Sequence, residues 1–439
     1  MVGPRSSGPS TRNAAAHAVP AIRWTFRAEM PPFSAAFPPP YARYEVLRMR
    51  HVTEPFRPPT FPSGGLLLIA PILAQATLGA CGGHDAVNDV SDSDSILVPT
   101  VTIDGSPDLG FGNIESATRF PDGTLAIADG HRRSIALFDS LGRTVGAFGG
   151  HGEGPGEFRH PSWVGTCGSE SLFVWDFMSG RMTVATSSGE VVRRFRVPAD
   201  GSQGAAPVSV ACSSTGVFAY QPIPHEMTRS GSDDPHVLRG AGPVWLGDTY
   251  GAISATVEDI PTDEFVVVGG GSGPRPLGRQ TSLAVSQDRL YIATGDSSYV
   301  EAFDLEGTPF GGVSVPSDRP PPTPQAYRQA IEDITRSIHA AEVAAHVTRE
   351  LRAMPMPETL PPYFGAFTDP EGRLWLVRSP PGESPTRLEA FDSAGRLSGR
   401  VALTSAVTVH EIGRDYVLGS VTGPSGRPKV LLFAMDRQP

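Results

Sequence analysis

A short strand-forming pattern recurs six times along the chain, and it constrains the fold more than any single residue does. The copies are Gly123-Thr124-Leu125-Ala126-Ile127-Ala128, Ser171-Leu172-Phe173-Val174-Trp175, Gly216-Val217-Phe218-Ala219-Tyr220, Arg289-Leu290-Tyr291-Ile292-Ala293, Arg373-Leu374-Trp375-Leu376-Val377 and Asp415-Tyr416-Val417-Leu418-Gly419. Each is a β-rich run entered from a turn cluster such as Pro121-Asp122-Gly123 or Pro370-Glu371-Gly372. A strand signal recurring every 40–50 residues or so, with no long helix between most copies, predicts a radial repeat. Six copies predict an all-β chain, a six-bladed β-propeller with one helical insertion.

Composition agrees with this reading. The chain has 439 residues, 39% of them hydrophobic, which suits a closed propeller preceded by a leader. Its 49 glycines and 44 prolines fall mostly at turns. A formal charge of −10 argues against nucleic acid as a partner. All but one of the 36 basic residues are arginine, Lys429 being the exception, as expected of a GC-rich genome.

The blades are expected at about 114–148, 162–197, 207–268, 281–315, 364–403 and 407–435. Three of them carry the same strand-and-turn: Phe138-Asp139 followed by Gly142, Phe303-Asp304 by Gly307, and Phe391-Asp392 by Gly395. There an aspartate opens a turn that needs glycine where φ is positive. The strand 96–103 is expected to join the last blade and seal the ring. The Pro424–Pro428 turn is expected to shorten that blade. The insertion at 316–362 reads as one helix, capped by Thr323, started by Pro324 and stopped by Pro355. Its apolar stripe would be Tyr327, Ile331, Ile334, Ile338, Ala341 and Ala345.

Ahead of the propeller, Leu66–Ala74 is the most apolar run, too short to span a bilayer and interrupted by Pro71. With Arg50 and Arg57 before it, it reads as a signal-peptide core. It ends in Leu78-Gly79-Ala80-Cys81, which resembles the lipobox of bacterial lipoproteins. The resemblance implies lipidation of Cys81, which would become the new N-terminus, and Gly82 after it implies the outer membrane. The expected organisation is then a disordered or wrongly included extension at 1–48, with translation starting at Met49. A signal peptide follows at 49–81, a flexible tether at 82–96 and the propeller at 97–436.

Gly149–Pro161 resembles the inter-blade connection of NHL-type propellers. Together with Pro276–Arg279 and Glu411–Gly419, it makes residues 98–436 similar to a large family of bacterial exported six-bladed propellers, often lipoproteins. That family carries no assigned activity.

Candidate chemistry is sparse. Cys167 and Cys212 each lie five residues before the repeat Leu172 or Val217, so they occupy equivalent places in adjacent blades. They are either a disulfide or two small buried side chains, and a Cα separation above about 7 Å would exclude the bridge. The propeller histidines are scattered. His151 and His160 share one loop, and His225 and His236 share the polar stretch of blade 3, so a metal is left unassigned. No G-x-S-x-G elbow is found. Nor can the metal-binding set of lactonase-type propellers be matched, Asn113 being the only propeller asparagine.

The function expected is a lipid-anchored, extracytoplasmic scaffold for a protein or small-molecule ligand, monomeric, without catalytic residues or cofactor. The alternative is a metal-dependent hydrolase or lyase with its site at the central channel mouth. The polar stretch at 222–235 and the insertion at 316–362 are expected to border whatever site exists.

Overall fold

The computed structural model describes residues 25–26, 94–105, 110–167, 171–198, 207–222, 235–268, 271–336, 338, 340–423 and 426–435. The signal peptide, Cys81 and most of the tether lie outside the described residues, as do residues 223–234 of the polar stretch.

Six four-stranded antiparallel sheets form the blades. The repeat pattern supplies the second strand of every blade: Leu125–Asp129, Ser171–Asp176, Phe218–Pro222, Leu290–Ala293, Leu374–Val377 and Tyr416–Thr422. These runs are almost wholly buried because each is covered on both faces by neighbouring blades. The innermost strands are Ile114–Arg119, Pro161–Gly165, Pro207–Cys212, Ser282–Val285, Ala366–Thr368 and Thr408–Ile412. Each touches the next in chain order, and the sixth returns to the first, so the ring is closed.

An apolar cluster fills each seam between blades. Phe120, Ile135, Phe158 and Leu172 lie between blades 1 and 2, Trp175, Phe218 and Trp245 between 2 and 3, and Phe138, Leu418 and Val430 between 6 and 1. Full burial of such a side chain contributes roughly 1.5–3 kcal/mol. Two of the buried indoles also satisfy their N–H groups. Trp175 Nε1 donates to the Pro207 carbonyl at 3.0 Å, and Trp375 Nε1 to the Asp369 carboxylate at 2.8 Å.

Closure is made by Pro99–Ile103, which pairs antiparallel with Pro428–Ala434 as the fourth strand of blade 6. The segment expected as one strand is divided. Ser95–Leu97 pairs instead, in parallel, with the outer strand of blade 5, and thus takes the last residues read as tether into a sheet. Blade 6 is not shortened: the strands flanking its Pro-rich turn, Tyr416–Thr422 and Pro428–Ala434, are seven residues each.

Two further departures lie in the insertions. Blade 3 ends at Pro261. His236–Leu238, Phe265–Val268 and Gly271–Pro274 form a separate small sheet, to which Thr25–Phe26 adds a short strand. The insertion is two helices rather than one, α1 (Pro324–Arg336) and α2 (Ala341–Ala353). Thr323 caps α1 as expected, its Oγ1 accepting the Ala326 N–H at 3.1 Å. The break before Ala341 resets the helical phase. Tyr327, Ile331 and Ile338 are buried, but Ala341 and Ala345 are exposed, and Val347 and Leu351 carry the buried face of α2.

Both insertions meet in one apolar cluster of Val266, Val268, Leu277, Tyr327, Ile331, Val347 and Leu351. Glu264, paired with Arg275 at 3.2 Å and Arg279 at 3.3 Å, and the Arg239–Asp296 pair fasten this accessory layer to blade 4.

Candidate functional site

In every blade, successive strands alternate in direction, so the turns joining first to second and third to fourth strands share one end of the ring. At that end lies a cavity of about 1040 Å³ whose wall draws on all six blades. Each innermost strand is an edge strand, so the N–H and C=O groups it does not use in its sheet face the channel. Trp163, Phe367 and Tyr416 add aromatic surface, and Arg119, Ser286 and Gln287 add polar groups. Among the described residues, neither insertion contributes to this wall. Both enter and leave their blades at the other strand ends; residues 223–234 of the polar stretch, expected to border a site, lie outside the described residues.

The seam between blades 6 and 1 carries the cavity's main polar cluster. The Glu411 carboxylate accepts hydrogen bonds from the Thr118 and Tyr416 hydroxyls and, at 3.2 Å, from the Arg119 N–H. Arg119 lies over the Tyr416 ring at 4.7 Å and 3.8 Å from the Asp415 carboxylate, and its Nε is buried with no partner among the described residues. Burial pushes the Glu411 carboxyl above the ordinary carboxylate range, outweighing the three donors that pull it down. Burial, with Glu411 next, raises the Tyr416 phenol as well. His410, the adjacent residue, turns to Ser420, its Nε2 lying 2.8 Å from Oγ. Enclosure by protein lowers its imidazole to about 4. Sequence reading passed over Glu411 because its partner Thr118 is 293 residues away.

Across the channel, Cys167 and Cys212 are joined by a disulfide with a Cα separation of 5.5 Å, and both cysteines line the cavity. The bridge ties the turn that leaves the inner strand of blade 2 to the last residue of the inner strand of blade 3. Asp369 also lines the wall, but its carboxylate is fully engaged by the Glu371 and Arg373 N–H groups, Arg373 Nε and Trp375 Nε1.

The histidines do not converge. His151 is exposed in the loop between blades 1 and 2. His160 of the same loop is buried, with Nε2 unpartnered among the described residues and the imidazole lowered to about 4, chiefly by burial. His346 sits on α2 beside Arg349, and His225 and His339 lie outside the described residues. Among the described residues, no group of three or more His, Cys, Asp or Glu side chains is placed to hold a metal ion.

No protein-family model matches this chain, and no curated protein does. Among solved structures, a member of the DUF4221 family from Bacteroides vulgatus ATCC 8482 is 11% identical with a TM-score of 0.46, over 77% of this chain and 97% of that one. Virginiamycin B lyase from Staphylococcus aureus is 8% identical with a TM-score of 0.37, over 74% and 85%. Regucalcin, a calcium-binding protein from Agrobacterium tumefaciens, is 12% identical with a TM-score of 0.34, over 79% and 99%. Nothing of those proteins' chemistry is carried over to this chain at such distances.

Proposed function

We propose that this chain is an extracytoplasmic binding propeller that takes a small organic ligand into the channel cavity, held to the cell envelope through a lipid on Cys81. The observation that supports the reading is the cavity itself. Its volume of about 1040 Å³ is at the upper end of the range for small-molecule sites. Its wall combines aromatic faces with strand-edge hydrogen-bonding groups, which suits a ligand bearing both apolar surface and several donors or acceptors. Membership of the exported propeller lipoproteins belongs to the same reading, supported by the order of charged region, apolar core and Leu78–Cys81 in the leader.

Thr166 and Ser214 line the cavity from turns, where a larger side chain extends into the opening without disturbing the seams. Ligands that raise the melting temperature of the purified protein in a metabolite screen are expected to lose that effect in Thr166→Trp and Ser214→Trp. A screen in which every stabilising compound acts equally on the two variants removes the channel as the site. For the anchor, the wild type is expected to partition into detergent phase and Cys81→Ala into the aqueous phase. Equal partitioning refutes lipidation at Cys81.

A further inference from the structure

The outer strand of blade 2, Val191–Arg196, pairs with Arg181–Thr186 on one side and forms the rim of its sheet on the other. An edge strand presents a row of unpaired N–H and C=O groups. The same molecule shows what such a rim accepts: the outer strand of blade 5 is extended by Ser95–Leu97 as a fifth strand.

Charge sets the blade 2 rim apart. Arg194 and Arg196 are exposed, two residues apart on the strand, and Val192 before them is 60% exposed. Arg196 stands directly opposite Arg181, a like-charge cross-strand pair that costs up to about 1 kcal/mol. Arg159, Arg181 and Arg194 converge on a single stretch of loop. Arg159 pairs with the Glu153 carboxylate at 3.4 Å, and Arg181 and Arg194 donate to the Glu153 carbonyl at 3.3 and 3.1 Å. Of the other acids nearby, Glu157 accepts the Gly154 N–H at 2.8 Å, and buried Asp176 accepts the N–H groups of Arg159, His160 and Ser179. Arg159–Glu153 is thus the one ion pair these guanidinium groups make among the described residues, in a chain whose net charge is −10.

We infer that this rim docks an extended acidic peptide of a partner protein, added to blade 2 as a fifth strand with its carboxylates on Arg194 and Arg196. Carboxylates at alternate positions of a strand match guanidinium groups two residues apart. A peptide is favoured over an anionic glycan by a backbone edge left open among the described residues and by the apolar surface beside the charges. That surface is Val192 and the 66% exposed Tyr250, on whose ring Arg193 stacks at 4.2 Å.

The test is fluorescence anisotropy with the purified protein and a labelled synthetic peptide of alternating glutamate and valine. Saturable binding is expected, falling roughly tenfold as salt shortens the screening length. The double variant Arg194→Glu/Arg196→Glu, with melting temperature unchanged, is expected to bind at least about tenfold more weakly and to accept the corresponding lysine–valine peptide instead. Should that variant fail to fold, Arg194→Gln/Arg196→Gln is expected to show the same weakening. Absent binding, or equal binding by wild type and variant, overturns the inference. Preference for heparin over the peptide overturns it in favour of a glycan site.

Discussion

A carboxylate and a glycine, four residues of turn, recur at the same place in four blades. Asp139, Asp248, Asp304 and Asp392 each accept two backbone N–H groups through Oδ1, from the second and fourth residues after them, at 2.7 to 3.1 Å. Gly142, Gly251, Gly307 and Gly395 follow with φ between 75° and 85°. At Gly251 a Cβ would also lie 2.6 Å from the Arg196 carbonyl, so the turn admits no larger residue. Three of these turns were legible in the sequence as Phe-Asp followed by glycine. The fourth was not, because Gly247 replaces the aromatic before Asp248. Blade 2 uses Thr186, whose Oγ1 accepts the Glu190 N–H at 3.1 Å, and a search for aspartate passes over it.

Two imidazoles, buried His160 and half-buried His410, give this scale its pH dependence. The folded His160 and His410 take up a proton only near pH 4, whereas an unfolded chain does so near 6.5. The unfolded state therefore binds more protons between those values, and stability falls as pH drops through that window. Glu411 acts in the opposite sense, since its carboxyl protonates more readily folded than unfolded. Urea unfolding at pH 7 and pH 4.5 should show a loss on the order of 2 kcal/mol per histidine. His160→Gln should reduce that loss, and an unchanged loss would refute the assignment to His160.

At the level of elements, the second strands were fully readable because each carries its own apolar run. The accessory sheet was not. Its strands are two to four residues long, and His236–Leu238 pairs with Phe265–Val268 across the whole outer half of blade 3. The helical insertion was half readable: its caps are local signals, while the break that turns it into α1 and α2 changes the phase of the apolar stripe without a proline or glycine to announce it. The Cys167–Cys212 bridge belongs to this scale because it joins two blades, from the turn after one inner strand to the end of the next. It closes a loop with a sequence separation of 45, for which chain entropy gives up to about 4 kcal/mol. Cys167→Ala/Cys212→Ala is expected to unfold at lower urea by about that much, and reductant should shift the wild type but not the variant. A wild type indifferent to reductant would show that the bridge adds nothing.

For the molecule as a whole, the number of blades was legible and the cavity was not. Six copies of one pattern can be counted along a line, but the channel wall is assembled from six separated places, one per blade. Thr118 and Glu411 become neighbours only because the ring closes. The same is true of Asp415 and Arg119. A linear reading looks for irregularity, and it pointed to the two insertions at the other strand ends. The candidate cavity instead sits where the regular parts converge.

Closure has a consequence in time. The ribosome releases Pro99–Ile103 before blade 1 and Pro428–Ala434 after every other blade strand, yet the two must pair to complete blade 6. Without that last strand, blade 6 is incomplete and the seams it fills stay open, so the wall of the cavity is not closed. Chain order thus makes the cavity the last thing this fold acquires.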